Sequence, residues 1–300
     1  EFITGPGGVI DTWLRRGAAG FRLDVADELP DEFIEKVRVA VKRVSPEKFL
    51  LGEVWEDATT KFGFNKRRTY LLGKGLDSVM NYPFKNAVLD FVKGKPAEQA
   101  MTEILTICEH YPAPAMDTAL NFLSTHDTER ALTVIADEPA NGRGRAWQSG
   151  RCVTGDAYEE GLLRLRMAYA IIYTLPGVPC LYYGDEIAMQ GYRDPFNRAF
   201  FRWDAHEQRL RPVLAQLAQL RHTCEAFRTG QLRVLRAEDG ILHYQRVGKV
   251  ETAEIIVNRT EHIIVETLAS GKSTEVNPMG FTIVVEEVGH NPNHSYYDYV

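Results

Sequence analysis

Three short segments carry side chains suited to acid–base or nucleophilic chemistry: GFRLDVADE (residues 20–28), LLGEVWED (50–57) and NFLSTHDTER (121–130). In each, an apolar run ends on a carboxylate: Asp24, Glu53, and Asp127 beside His126. Carboxylates and imidazoles in such places can act as acids, bases or nucleophiles. If 19–25 is a strand, side chains alternate faces. Arg22 and Asp24 then share one face, and Phe21, Leu23 and Val25 the other. A face carrying Arg and Asp is costly to bury unless the two pair and meet polar ligands. Taken alone, the segment fits a structural ion pair as well as a site. In parallel α/β barrels, however, sites lie at the C-terminal strand ends, where three such carboxylates would converge.

The elements that must position them follow from periodicity. Val9, Ile10, Trp13 and Leu14 predict a helix over 8–16 that stops at Gly17, and Phe33, Val37, Ala40, Val41 and Val44 predict a second that ends at Ser45-Pro46. Strands are expected at 49–55, 76–82, 119–126 and 178–183. Helices are expected around 101–108, 162–173 and 210–220. Alternating strands and helices imply βα units and a parallel sheet. From residue 230 only short strands remain, at 231–235, 241–246, 254–257, 262–267 and 281–287, which indicates a small antiparallel β domain. The expected divisions are 1–229, 230–288, and a polar tail at 289–300. The GPGG stretch at 5–8 is read as a turn and helix start. A phosphate cradle would need a preceding strand and a Lys-Ser/Thr pair after the glycines.

The 300 residues are 44% hydrophobic and carry a net charge of −6. No Lys/Arg-rich run points to nucleic acid, and no apolar stretch reaches membrane-span length. The four cysteines form no CxxC pair and read as small buried hydrophobes of a reducing, cytoplasmic compartment. The eight histidines are scattered along the chain, with none paired as HxH, which argues against a metal-dependent barrel hydrolase. No metal site or organic cofactor is expected, and Asp185 and Glu186 read as strand-end structure.

Together the motifs resemble the α-amylase family of glycoside hydrolases. GFRLDVADE is similar to its nucleophile strand, LLGEVWED to its acid/base strand, NFLSTHDTER to its third-carboxylate strand, and PGVPCLYYGDEIAMQG to its last barrel strand. DVADELP, LDSVMNYPF and STHDTER are most similar to the neopullulanase, cyclomaltodextrinase and maltogenic amylase branch. The resemblance implies the C-terminal five-eighths of a (β/α)8 barrel, strands four to eight, followed by a β-sandwich. A whole barrel takes about 250 residues, so the chain is expected to be a fragment. It is expected to need another copy or the missing N-terminal part as a companion, with Leu51 and Leu123 short of packing partners. The implied substrate is an α-glucan. Asp24 is the implied nucleophile and Glu53 the acid, then base, in the drier site of the two. Arg22 would orient Asp24, and Asp127 and His126 would grip sugar hydroxyls. Trp55 and Tyr82 are candidates for stacking on sugar rings, Glu28 for touching the leaving-group sugar, and Arg198, paired with Asp194, for contacting substrate. Trp55 and Tyr82 read more readily as core, and Glu28 equally as a solvated helix start. Some members of the family bind calcium, but no Asp/Asn-rich loop supplies it here. The competing reading is an inactive truncated fragment or a non-catalytic glucan-binding module.

Overall fold

A computed structural model describes residues 1–288 and the backbone strand Ser295–Tyr299. The chain divides into two compact units. One comprises Glu1–Pro83 with Ile104–Asn121, the other Phe84–Glu103 with Phe122–Val300.

The first unit is built on a three-stranded parallel sheet. Gly20–Leu23 pairs with Phe49–Gly52, which pairs with Ser78–Val79. A parallel bridge from Met80 to Leu120 extends the pairing. Gly5 to Gly8 forms a turn leading into helix Val9–Arg15, with the Gly7 N–H donated to Asp11. Helix Asp31–Val44 buries Ile34, Val37, Ala40 and Val41 along one stripe. Gly20 has a positional reason: a Cβ there would lie 2.0 Å from the Phe49 carbonyl oxygen, so any side chain would push the Glu53 strand away. Asp77 ties strand to helix, accepting from Arg38 (2.7 Å), Lys42 (2.8 Å) and the Leu50 N–H (2.8 Å).

In the second unit, helix Gly155–Thr174 is buried along its C-terminal half, with every residue from Met167 to Thr174 buried. A five-stranded antiparallel sheet follows, and the hairpin Ile264–Thr267/Ser273–Val276 packs against it through Ile241, Ile256, Leu268, Val276 and Val284. Arg246 and Tyr244, both fully buried, hold this sheet to the helix: Arg246 donates to the Thr174 carbonyl (2.7 Å) and Tyr244 bonds the Thr174 hydroxyl (2.6 Å).

Three expectations change. The strands are shorter than their apolar runs; the first ends at Leu23, because Val25 takes a left-handed backbone and 26–28 coil into a 3-10 turn. Tyr82, expected to end the strand 76–82, instead opens helix Tyr82–Lys93. Within the expected tail, Ser295–Tyr299 pairs with Gly280–Glu287, while 289–294 and 300 lie outside the described residues. Leu51 and Leu123 are buried, at 9% and 0% exposure, Leu51 lying in the strand flanked on both sides.

Two charges, Asp77 half-buried and Lys85 buried, set pH dependence. Burial pushes Asp77 up, but Lys42 and Arg38 outweigh it and hold the carboxyl below its usual range. A depressed carboxyl stabilises the fold above the unfolded-state value and loses that stabilisation as pH falls through the folded one. Asp77→Asn should therefore cost about 3 kcal/mol at pH 7, with the gap to wild type closing in urea titrations below pH 4. Lys85 is 8% exposed. Burial pulls its ammonium down to about 8, Arg193 adds to the pull, and Glu129 and Asp90 oppose it. The unfolded chain then binds more protons between pH 8 and about 10.5, so stability should rise through that window. Lys85→Met should abolish the rise and be the more stable protein at pH 7, read as the urea midpoint.

Candidate active site

In the first unit, Asp24 and Glu53 share one guanidinium. Arg22 Nη1 lies 2.5 Å from Asp24 Oδ1, and Nη2 lies 2.9 Å from Glu53 Oε1. The fixed fork of the guanidinium holds these two carboxylate oxygens within about 8 Å of each other. Their surroundings differ sharply: the Glu53 side chain is 4% exposed and that of Asp24 71%. Parallel register explains the proximity. Leu23 stands opposite Gly52, so the residues just beyond the two strands are Asp24 and Glu53.

Glu53 is also the anchor of the turn. Its N–H donates to the Leu23 carbonyl (3.0 Å), its carbonyl accepts from Ala26 N–H (3.1 Å), and Oε2 accepts from Val25 N–H (2.9 Å). Val25 sits at φ 40°, a conformation β-branched residues avoid at a cost of about 1–3 kcal/mol. The bonds from Val25 and Ala26 to Glu53 hold it there. Trp55 Nε1 (3.2 Å) and the Tyr82 hydroxyl (3.4 Å) both donate to Glu53 Oε1. The two rings stack on each other, with centroids 4.3 Å apart. Tyr82 is 1% exposed, so its ring is unavailable to a sugar; Trp55, at 44%, still presents a surface. Glu28 is exposed in the 3-10 turn and makes no ion pair among the described residues.

The loop after Trp55 braces that turn through residues the sequence reading passed over. Arg68, buried, donates to Asp31 (2.8 Å) and to the Asp27 and Leu29 carbonyls (2.7 and 2.6 Å). Tyr70 OH and Lys61 Nζ reach Asp27 at 3.2 and 3.1 Å. The KRR run at 66–68 was the available signal, but a basic triplet reads as solvated surface until its carbonyl partners are known.

In the second unit, Asp127 receives His126 Nε2 (3.0 Å) and Arg198 Nη2 (3.1 Å). Arg198 Nε also bonds the His126 carbonyl at 2.8 Å and lies 3.6 Å from Asp194. Asn197, wholly buried, donates to the carbonyls of His126 and Thr128, both at 2.8 Å. Arg198 thus brings the loop of 194–198 to the strand-end segment 125–128. Asp185 belongs to a buried pair with Arg130 (3.0 Å) and also accepts from Tyr169 OH (2.6 Å). Burial raises the Asp185 carboxyl against the bonds from Ser124, Tyr169 and Arg130. Glu186 folds back to accept from the Gly184 N–H. Among the described residues no cluster of His, Cys, Asp and Glu has metal-binding geometry, and no helix is long and apolar enough to cross a membrane.

Comparison with known proteins gives this arrangement a context. Residues 6–230 match the family model "Alpha amylase, catalytic domain". The chain is 33% identical over 255 residues to a cyclomaltodextrinase of Geobacillus thermopakistaniensis, which covers 83% of this chain and 38% of that protein. It is 31% identical over 271 residues to neopullulanase 2 of Thermoactinomyces vulgaris, covering 87% and 41%. Among solved structures, the ligand-free cyclic α-maltosyl-(1→6)-maltose hydrolase of Arthrobacter globiformis superposes with a TM-score of 0.78 at 25% identity, covering 93% of this chain and 58% of that one. The same hydrolase has been solved with maltose. The chain thus spans about two-fifths of the length of these curated relatives. It belongs to the alpha-amylase family of glycosidases, of whose α/β catalytic domain it carries a part, followed by an antiparallel C-terminal sheet.

Proposed function

We propose that this chain carries the reacting carboxylates of a retaining α-glucan hydrolase acting on α-1,4 and, in some substrates, α-1,6 bonds, and that its α/β part corresponds to barrel strands four to eight. The observation that carries the reading is the Arg22 bridge between an exposed Asp24 and a buried Glu53. Retaining hydrolysis needs two carboxyl groups about 5 to 5.5 Å apart, a separation the shared guanidinium permits. Asp24, accessible and paired with a cation, attacks the anomeric carbon as the glycosidic bond breaks. Glu53 gives its proton to the departing oxygen. It then takes a proton from the water that displaces Asp24 from the sugar, so both groups return to their starting states. Arg22 pairs with Asp24 and aims it. Asp127, fixed by Arg198 and His126, is assigned the sugar hydroxyls, where bonds that tighten in the transition state raise turnover. Trp55 supplies the stacking face, and Tyr82 positions Glu53.

In the enzyme containing this chain, Asp24→Asn should lower turnover on maltooligosaccharides at least a thousandfold, about 4 kcal/mol of barrier. Its urea midpoint should stay within experimental error of wild type. Retention of a tenth of the activity would exclude Asp24 as nucleophile. Glu53→Gln should lose as much on maltooligosaccharides but far less on aryl glycosides with activated leaving groups, which need little proton donation. Equal losses on both substrates would remove Glu53 from the acid role. A non-catalytic glucan-binding module would instead bind maltooligosaccharides with the same affinity in both variants and turn over none in wild type.

Gly20–Leu23 lies at the end of its sheet, and an unpaired strand edge recruits another strand. We infer that the chain works with a companion, a second copy or a preceding segment. Light scattering on residues 1–300 should give a mass above 33.9 kDa, with little α-glucan hydrolysis; a stable monomer with full activity would refute this.

A further inference from the structure

A cavity of about 290 Å3 opens between the loop after Trp55 and the end of helix Ala97–His110, apart from the carboxylate pair. Its lining includes Thr59, Arg67, Arg68, Thr69, His110 and Pro112 and no carboxylate side chain. Arg68 is neutralised by Asp31. Arg67 is not: its Nε donates to the Thr59 carbonyl at 2.6 Å, and no carboxylate pairs with it among the described residues. A guanidinium held at one nitrogen keeps its remaining N–H groups for a planar or tetrahedral oxyanion.

His110 is oriented from behind. Its Nδ1 lies 2.5 Å from Asp57 Oδ2, while Asp57 Oδ1 receives the Thr59 N–H (2.8 Å) and hydroxyl (2.6 Å). Burial pushes Asp57 up, but the bonds from Thr59 and His110 outweigh it, so the carboxyl titrates below its usual range. An ionised carboxylate only accepts, so Nδ1 donates to Asp57, and in the imidazolium form that pairs with a phosphate Nε2–H is the ring's second donor. The Tyr111 hydroxyl fixes the Ala58 backbone at 3.2 Å, and the bonds of Arg68 hold the opposite wall. The site is thus formed before any ligand arrives.

We propose that this cavity binds a small phosphorylated sugar, with the phosphate on Arg67 and His110. The volume would hold roughly ten waters, so a bare phosphate would leave most of it unfilled. Ala58, Leu71 and Pro112 supply an apolar surface for the C–H face of a sugar ring, and Thr59 and Thr69 supply hydroxyl partners.

Isothermal titration calorimetry on the chain, with glucose 6-phosphate, inorganic phosphate and glucose, tests this. Glucose 6-phosphate should bind at least tenfold more tightly than either of the others. Arg67→Gln, at an exposed position with one backbone contact, should weaken that binding tenfold or more with an unchanged circular dichroism spectrum, and Arg67→Lys should fall between. His110→Gln should also weaken it. Equal affinity for glucose and glucose 6-phosphate, no binding of any of the three, or no effect of Arg67→Gln would overturn the site. Inorganic phosphate binding as tightly as glucose 6-phosphate would overturn the sugar assignment.

Discussion

Two carboxylates brought together at adjacent strand ends repel each other, and this unit resolves the conflict with one cation. Arg22 stands on the strand that ends in Asp24 and reaches across to Glu53. Each carboxylate therefore faces positive charge rather than its twin, and the two can differ in solvation without moving apart. The remaining contacts of Glu53 follow from this. Its backbone and side chain take the N–H groups of Val25 and Ala26, so the strained turn after Asp24 and the burial of Glu53 are one feature. Loosening the Gly20–Phe49 approach or the Asp77 clamp would move the Glu53 strand relative to Arg22, and with it both carboxylates.

The same device recurs in the second unit. Strand-end loops leave backbone carbonyls without ladder partners, and long planar donors fill the gap. Asn197 and Arg198 bond the carbonyls around His126, and Arg130 bonds the Tyr183 carbonyl while pairing with Asp185. Arg130 also lies over the rings of Tyr182 and Tyr183, at 4.7 and 4.9 Å from their centroids. Buried charges of this kind are costly to desolvate and contribute little net stability. What they provide is position, holding Asp127 and its neighbours where loops alone would not.

A polar seam also runs through the C-terminal sheet. His243 lies between Glu254 (2.6 Å) and Glu266 (3.3 Å), and Glu266 pairs in turn with Arg236. Burial pushes Glu254 up, but His243, Gln245 and the Ala269 N–H hold its carboxyl below the usual range. The seam ties three strands to the hairpin that covers them and fixes which face of the sheet the hairpin meets.

The motif residues were legible in the sequence because chemistry restricts their types: Asp24, Glu53, His126 and Asp127 stand out as polar groups at the ends of apolar runs, and Arg198 through the family resemblance. Helices with a clear stripe, such as Asp31–Val44 and Leu210–Thr223, were equally plain, since periodicity is local. What periodicity could not decide is where a strand stops. Val25 continues an apolar alternation yet turns left-handed, because Glu53, distant in sequence, captures its N–H. Helix Tyr82–Lys93 was missed because its first residues prolong the apolar run of the strand before it. Tyr82 read as either a sugar-stacking ring or core, and its burial makes it a donor to Glu53. Partners for Arg67, Arg68, Asn197 and Arg130 are mostly backbone carbonyls, which every residue has and no sequence pattern marks. Residue types thus determine which groups can react. Long-range backbone hydrogen bonds and burial, which exist only once the chain has folded, decide which of them are held, dried or left exposed.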